Sequence, residues 1–391
     1  MKRYLLFIIS IAALAAMTGC EYDVAEPPWE KDFVNPPTPV ITGIEPADVA
    51  TAGVNTITIL GENFAGNAAD NKVYFDNIPA EIVNANTTSI TVRRPNLVTD
   101  SSDISVISYD AIVAATYGPY KINPVMERYG EFLDNNQLTG LFLDDEENLY
   151  VLQPFEYTVY MVPPGGAKID IGSVERTAYD LTMAPDGKLV IAFNQRYLNK
   201  FDIDTGQDTL FLDLPKRVSF CDYDDNGILY TIGRKTDLII IMPDSSNSYL
   251  GVYANYIITD MRVYNNYVYI VGENTSAGAD EAEFGVWRHE ILDANGTLGP
   301  QQLMFDWAAA GDEFVDSEPT GIAVTADGTM YVSSDNDNPI LIVTPDGQFD
   351  VFYKDIIPSH AVKLVGGQSN YLYMLLGTEE YNIVRIDIGS N

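Results

Sequence analysis

One spacing constrains the fold of this chain more than any other feature. An aliphatic residue followed by a β-former recurs at Leu149-Tyr150, Leu189-Val190, Leu229-Tyr230, Val268-Tyr269, Met330-Tyr331 and Leu372-Tyr373, in steps of 40, 40, 39, 62 and 42 residues. Each pair follows a tight polar turn such as Glu147-Asn148, Asp186-Gly187, Asn226-Gly227 or Asp327-Gly328, where positive φ comes at little cost to Asn and Gly. A further strand pattern follows each pair, at 159–162, 198–203, 238–242, 286–291, 340–344 and 383–388. No amphipathic helix of useful length interrupts the series. Repeats of about 40 residues made of short strands mark propeller blades, so six units predict a six-bladed β-propeller.

The Pro-Asp-Gly turns at Pro185–Gly187 and Pro345–Gly347, set in this repeat, resemble those of NHL-type six-bladed propellers. Tyr129 to Leu133 is placed to supply the outer strand of the sixth blade, closing the ring and removing an exposed edge. The step of 62 marks an insertion of about twenty residues in the fourth unit, spread over 273–284 and 293–316; such insertions usually map to loops on one face.

The N-terminus is of another kind. Lys2 and Arg3 precede an apolar run from Tyr4 to Ala16, then Met17, Thr18, Gly19 and Cys20. The run is shorter than the roughly 20 residues of a membrane-spanning helix. It resembles a lipoprotein signal, with Met17 where Leu is usual, and that resemblance makes 1–19 a cleaved signal and Cys20 the lipidated residue. The other reading is an ordinary secretory signal that leaves Cys20 a stray thiol. Two or three acyl chains, at about 0.8 kcal/mol per buried methylene, hold a protein firmly on a membrane without spanning it. Glu21, Asp23 and Glu26 follow, and resemble the tag that sends lipoproteins of glycan-foraging Gram-negative bacteria to the outer surface; a solvated acidic linker is the alternative. Pro27, Pro28, Pro36 and Pro37 make 20–38 an extended tether.

From Pro39 the texture changes to short alternating runs at 40–44, 56–60, 72–75, 89–92 and 104–108, separated by turn residues, as in a small β-sandwich. Ile44, Pro46, Gly53, Ile57, Ile59, Gly61, Asn63 and Phe64, then Val73, Phe75, Ile90, Val92 and Pro95, resemble the IPT/TIG immunoglobulin-like domains. That resemblance implies a fold and a spacing or binding role, and no chemistry. The fold class is therefore all-β: an immunoglobulin-like sandwich over 39–123 and a propeller over 124–391.

Charge and composition exclude several functions. The net charge of −34 becomes −36 once Lys2 and Arg3 leave with a signal, which argues against nucleic acid and anionic lipid as partners and would also repel polyanionic glycans. Membrane contact is then through the lipid anchor alone. The only other cysteine is Cys221, placed in an innermost strand, where an inert buried thiol is expected and no intrachain disulfide is available if Cys20 is acylated. With only His289 and His360, sites built from several histidines are ruled out. Asp222, Asp224, Asn226 and Gly227 mimic half of a calcium loop, but its twelfth position is Gly233 and the segment coincides with a blade turn. No Gly-x-Ser-x-Gly elbow or phosphate-cradling loop is present, and neither a metal nor a cofactor is expected.

Blade alignment places Thr139, Tyr179, Ser219, Thr259, Thr320 and His360 just before the innermost strands, ringing one mouth of the channel. Asp180 and Asp260 add carboxylates, and Trp287 and Trp307 lie in or beside the insertions. Such groups could hold a neutral sugar by hydrogen bonds and ring stacking. The structural alternative is that small polar residues there satisfy strand ends. The architecture resembles surface glycan-binding lipoproteins of polysaccharide-utilisation systems, although a propeller is not their usual distal domain. The expectation is a non-catalytic binding protein, lipid-anchored at the outer membrane and exposed on the cell surface. Its partners would be a polysaccharide or oligosaccharide and an outer-membrane transporter or neighbouring surface lipoproteins. The alternatives are a protein-protein scaffold and a propeller hydrolase or lyase using Asp180, Asp260 and His360.

Overall fold

The computed structural model describes residues 37–109, 111–133, 137–358, 360–377 and 382–389. The signal, Cys20 and the tether as far as residue 36 lie outside the described residues.

The first unit is a two-sheet sandwich. One sheet orders Val40–Glu45, Thr56–Glu62, Ser89–Arg93 and Ile82–Ala85; the other orders Val49–Ala50, Ala115–Ile122, Thr99–Ser108, Asn71–Phe75 and Ile78–Ala80. Period-two alternation drives it: Ile57, Ile59, Ile90, Val92, Ile104, Val106 and Phe75 are fully buried between the sheets, while their strand neighbours face outward. The Gly-x-Asn-Phe turn has a steric basis. A side chain at Gly61 would strike the Val40 carbonyl oxygen at 2.1 Å and the Phe64 ring at 2.3 Å, and Asn63 takes φ 62°.

Six four-stranded sheets follow among the described residues. Blade 1 comprises Gly140–Leu143, Leu149–Gln153, Thr158–Val162 and Ile169–Ser173. Blade 2 comprises Asp180–Met183, Leu189–Ala192, Gln195–Asp202 and Gln207–Val218. Blade 3 comprises Phe220–Tyr223, Leu229–Gly233, Thr236–Ile241 and Asn247–Tyr249. Blade 4 comprises Tyr256–Tyr264, Tyr267–Asn274, Phe284–Glu290 and Gln302–Asp306, and blade 5 comprises Pro319–Val324, Met330–Ser334, Ile340–Val343 and Phe349–Val351. Blade 6 takes Ala361–Gly366, Tyr371–Leu376 and Ile383–Asp387 from the C-terminus, and its outer strand, Met126–Tyr129, from the start of the propeller. Each innermost strand contacts the next, and that of blade 6 contacts that of blade 1, so the ring is closed.

The second strand of each blade begins at or one residue before its aliphatic pair. The reason is burial on both faces. A separate apolar cluster fills each of the six seams between blades, and the second strands supply residues to all of them. The closing strand lies three residues upstream of its expected position, because Gly130 (φ 75°) and Glu131 (φ 54°) turn the chain out of the sheet after Tyr129.

The sandwich is docked on blades 5 and 6. Arg93 grips Asp350 through both terminal nitrogens, at 2.8 and 3.1 Å. Asn55 donates to Asp350 Oδ2 (2.9 Å) and accepts from the Tyr353 amide (3.0 Å), and the Tyr353 hydroxyl accepts from Gly53 N at 2.6 Å. Arg94, 4% exposed, donates to the carbonyls of Ala50, Thr51, Val54 and Asn123, tying the sandwich to the segment that leads into the propeller. Arg94→Leu removes all four donations, although the Ala50 and Thr51 carbonyls keep the Asn123 and Val54 amides, and is expected to cost about 2–4 kcal/mol, read as a lower urea midpoint. A loss below about 0.5 kcal/mol would show that the tie contributes nothing.

Candidate functional site

Thr139, Ser219, Thr259 and Thr320 form a belt of stitches between blades, the first two just before their innermost strands and the last two inside them. Thr139 Oγ1 donates to the carbonyl of Ala178 in blade 2 (2.8 Å), Thr259 Oγ1 to that of Pro319 in blade 5 (2.8 Å), and Thr320 Oγ1 to that of Ala361 in blade 6 (2.7 Å). Ser219 Oγ lies 3.1 Å from Asn194 Oδ1. These hydroxyls bind strand ends. Tyr179 differs: its amide bonds to the Ala192 carbonyl, while 42% of the residue is exposed.

Below this belt the channel holds a charge cluster. Asp180 and Asp260, both fully buried, converge on the Lys363 ammonium, which contacts Asp180 Oδ1 and lies 3.4 Å from Asp260 Oδ1. The Arg262 guanidinium lies 3.5 Å from Asp260 and 3.9 Å from Asp180. Each carboxylate also caps a backbone amide of the next blade: Asp180 accepts from Cys221 N (3.0 Å), Asp222 from Val263 N (2.8 Å) and Asp260 from Ile322 N (3.1 Å). Asp222 accepts a further bond from Thr182 Oγ1 at 2.7 Å. Burial pushes the Asp222 carboxyl above the ordinary range against the pull of Arg262. Burial also lowers the Arg262 pKa, but Asp260, Asp180 and Asp222 together raise it more. The carboxylates therefore act as structural ties, each with a cation or an amide.

The sequence does not single out Lys363 or Arg262 and places Asp222 only in a calcium-loop mimic, yet the blade register points to all three. Each stands three residues after its mouth position: Asp222 after Ser219, Arg262 after Thr259 and Lys363 after His360.

Two expectations need correction. Trp287 and Trp307, proposed as stacking faces, are each 4% exposed. Trp287 packs edge-on to Tyr256 in the seam of blades 3 and 4. Trp307 fills the next seam against Phe305 and Phe314 and donates its indole N–H to the Ser317 carbonyl at 2.9 Å. The insertion folds back on the blades and uses its aromatic rings as anchors. It is also split: 307–318 reaches the mouth beside His360, whereas the bridge of Ile291 to Leu298 lies at the Asn266 turn on the opposite face.

His360 lies apart from Asp180 and Asp260. It lines a cavity of about 230 Å³ with Asp312, Glu313, Asp316, Asp335 and Asp337. The other histidine is core: His289 Nδ1 donates to the Gly299 carbonyl and Nε2 accepts from the Tyr253 hydroxyl, both at 2.8 Å, and burial lowers its pKa. The Asp224 turn is a hairpin, its carboxylate accepting from the Asn226 and Ile228 amides. Cys221 is a fully buried free thiol, and burial pushes its pKa well above the ordinary value.

Comparison with known proteins fits this architecture. Residues 39–122 match the IPT/TIG domain family. A stretch of 121 residues, 30% of this chain, is 32% identical to a cyclomaltodextrin glucanotransferase of a Bacillus species, and spans 16% of that enzyme's length. An auxiliary nutrient binding protein from Bacteroides thetaiotaomicron shares the fold at 13% identity with a TM-score of 0.53, over 91% of this chain and 99% of its own. A gluconolactonase from Xanthomonas campestris, also 13% identical, aligns with a TM-score of 0.51 over 65% of this chain and 87% of its own. The chain is thus a six-bladed β-propeller protein that carries an IPT/TIG domain.

Lys363→Met leaves Asp180 and Asp260 short of a cation and is expected to destabilise the propeller by about 3–5 kcal/mol in urea titration, with part recovered by adding Asp260→Asn. A neutral Lys363→Met would mean that the cluster does not hold the blades. Cys221 should resist an aromatic disulfide reagent in the native protein and react once in urea; rapid native reaction would contradict its burial.

Proposed function

We propose that this protein is a non-catalytic binding lipoprotein of the cell envelope that holds a glycan for a neighbouring transporter or enzyme. Extent of fold similarity carries the reading. The auxiliary nutrient binding protein is matched along nearly its whole length, sandwich and propeller together, whereas the gluconolactonase covers 65% of this chain. Two features of the molecule support it. The channel carboxylates are engaged by Lys363, Arg262 and backbone amides, which leaves the mouth face as the surface open to a ligand. The sequence before the sandwich, with Cys20 after an apolar run too short to span, fits an anchor at the outer surface of a Gram-negative bacterium. The sandwich then acts as a spacer that presents the mouth away from the membrane.

Affinity electrophoresis of the chain starting after Cys20, through gels containing neutral and acidic polysaccharides with and without EDTA, tests the reading. Retardation by at least one polysaccharide, unchanged by EDTA and weakened by Tyr179→Ala, is expected. If no polysaccharide retards the protein, the glycan reading fails and a protein partner takes its place. Retardation lost in EDTA would point to a cation-dependent propeller enzyme instead.

A further inference from the structure

The mouth face is electrically divided in a way that the net charge of −34 conceals. Around His360 it is acidic, with Asp312, Glu313, Asp316, Asp335 and Asp337 about one cavity. On blades 2 and 3 it carries Lys216, Arg217, Arg234 and Lys235, all exposed. The two pairs are neighbours. Gln195 pairs with Val218 at the end of blade 2, and a Cβ at Gly233 would lie 2.6 Å from the Arg217 carbonyl oxygen, so the 233–236 turn rests directly on 217–218. The Lys235 amide, with φ 53°, is held by the Tyr256 carbonyl at 2.7 Å, which fixes the turn.

These four cations stand out by what they lack. The chain has 56 acidic residues against 22 Lys and Arg, and several cations elsewhere reach carboxylates: Lys188 pairs with Asp202 at 2.8 Å, Lys200 with Asp186 at 2.6 Å and Lys121 with Asp100 at 2.8 Å, whereas Lys72 on the sandwich stands exposed and, among the described residues, alone. Among the described residues, none of Lys216, Arg217, Arg234 and Lys235 has a carboxylate within 4.0 Å. Arg196, at the start of the third strand of blade 2, donates to the Leu214 carbonyl at 3.0 Å and makes only a loose contact, 3.8 Å, with the Asp213 carboxylate. Four such cations side by side on one rim, with Glu318 close enough to Arg234 to feel its charge but not paired with it, are open to an anion from outside.

The same rim offers flat faces. Tyr179 is 42% exposed, and its amide is bound to Ala192, two residues before Asn194, which contacts Ser219 at the start of blade 3. Phe155 (72%) and Tyr157 (41%) stand on the adjacent turn of blade 1. Aromatic rings followed around a rim by guanidinium and ammonium groups suit an extended chain with apolar ring faces and repeated negative charges.

We propose that the rim of blades 2 and 3 binds an anionic glycan, a polysaccharide bearing carboxylate or sulfate groups, with Lys216, Arg217, Arg234 and Lys235 on its charges and Tyr179 against a sugar ring. The proposal rests on the glycan-binding reading and narrows its ligand class. It runs against the expectation from net charge, because screening over about 8 Å at physiological salt makes the local groups govern a bound chain.

The test uses matched pairs in affinity gels: polygalacturonate against its methyl ester, and dextran sulfate against dextran. The protein is compared with the Arg217→Glu/Lys235→Glu variant, whose fold is checked by circular dichroism. Retardation by at least one anionic member and not by its neutral partner is expected, with at least tenfold weaker binding in the variant and loss in 0.5 M NaCl. Equal retardation by the neutral members, unaffected by the variant, overturns the anionic site and leaves glycan binding standing. Binding that survives the variant, or binding to anionic phospholipid vesicles in place of glycans, overturns it as well. No retardation by any polysaccharide, neutral or anionic, removes both readings.

Discussion

Lys363, buried in the channel, joins three of the propeller's six blades through one charge. Its ammonium contacts a carboxylate from blade 2 and approaches one from blade 4, while its backbone belongs to blade 6. Apolar seams hold each blade to its neighbours, but neighbours alone do not fix the geometry of a ring. A charge shared across the channel couples blades that do not touch. The carboxylates need that partner as much as it needs them, since a buried ion without compensation is among the costliest features a core can contain. Their bonds to Cys221, Val263 and Ile322 amides carry the same register from blade 2 through blade 5.

This arrangement also separates the roles of the molecule's charges. Asp180, Asp222 and Asp260 lie inward and are matched by two cations and backbone amides. The acids on the outer surface set the overall field, which favours a soluble protein and disfavours nucleic acid. The unpaired cations on blades 2 and 3 form a small region of opposite sign. Overall charge therefore describes the protein at a distance and not the character of its rim.

Much of the fold was legible in the sequence because burial on both faces leaves little choice of residue. Leu149, Leu189, Leu229 and Met330 sit where two blades meet, and Asp-Gly or Asn-Gly turns before most of them fix where strands begin. The closing strand, Met126–Tyr129, lies three residues upstream of the expected one, since Tyr129 to Leu133 is as apolar as its upstream neighbours and only the backbone at Gly130 decides. The site was harder to read. Lys363, Arg262 and Asp222 come from three separate blades, so only the alignment of all the innermost strands brings them together. Trp287 and Trp307 resemble binding faces because they lie in or beside an insertion; that Trp307 packs inward depends on Phe305, Phe314 and Ser317, and that Trp287 does on Tyr256, which no local pattern reveals.

The docking of the sandwich through Arg93, Arg94 and Tyr353 has a consequence for reach. Val125 lies between the last strand of the sandwich and the closing strand of blade 6, and its carbonyl accepts the Asp387 amide, so no slack exists at the joint. The two units turn together like a lever. A pull on the sandwich is therefore passed straight into blades 5 and 6 and is not taken up at the joint.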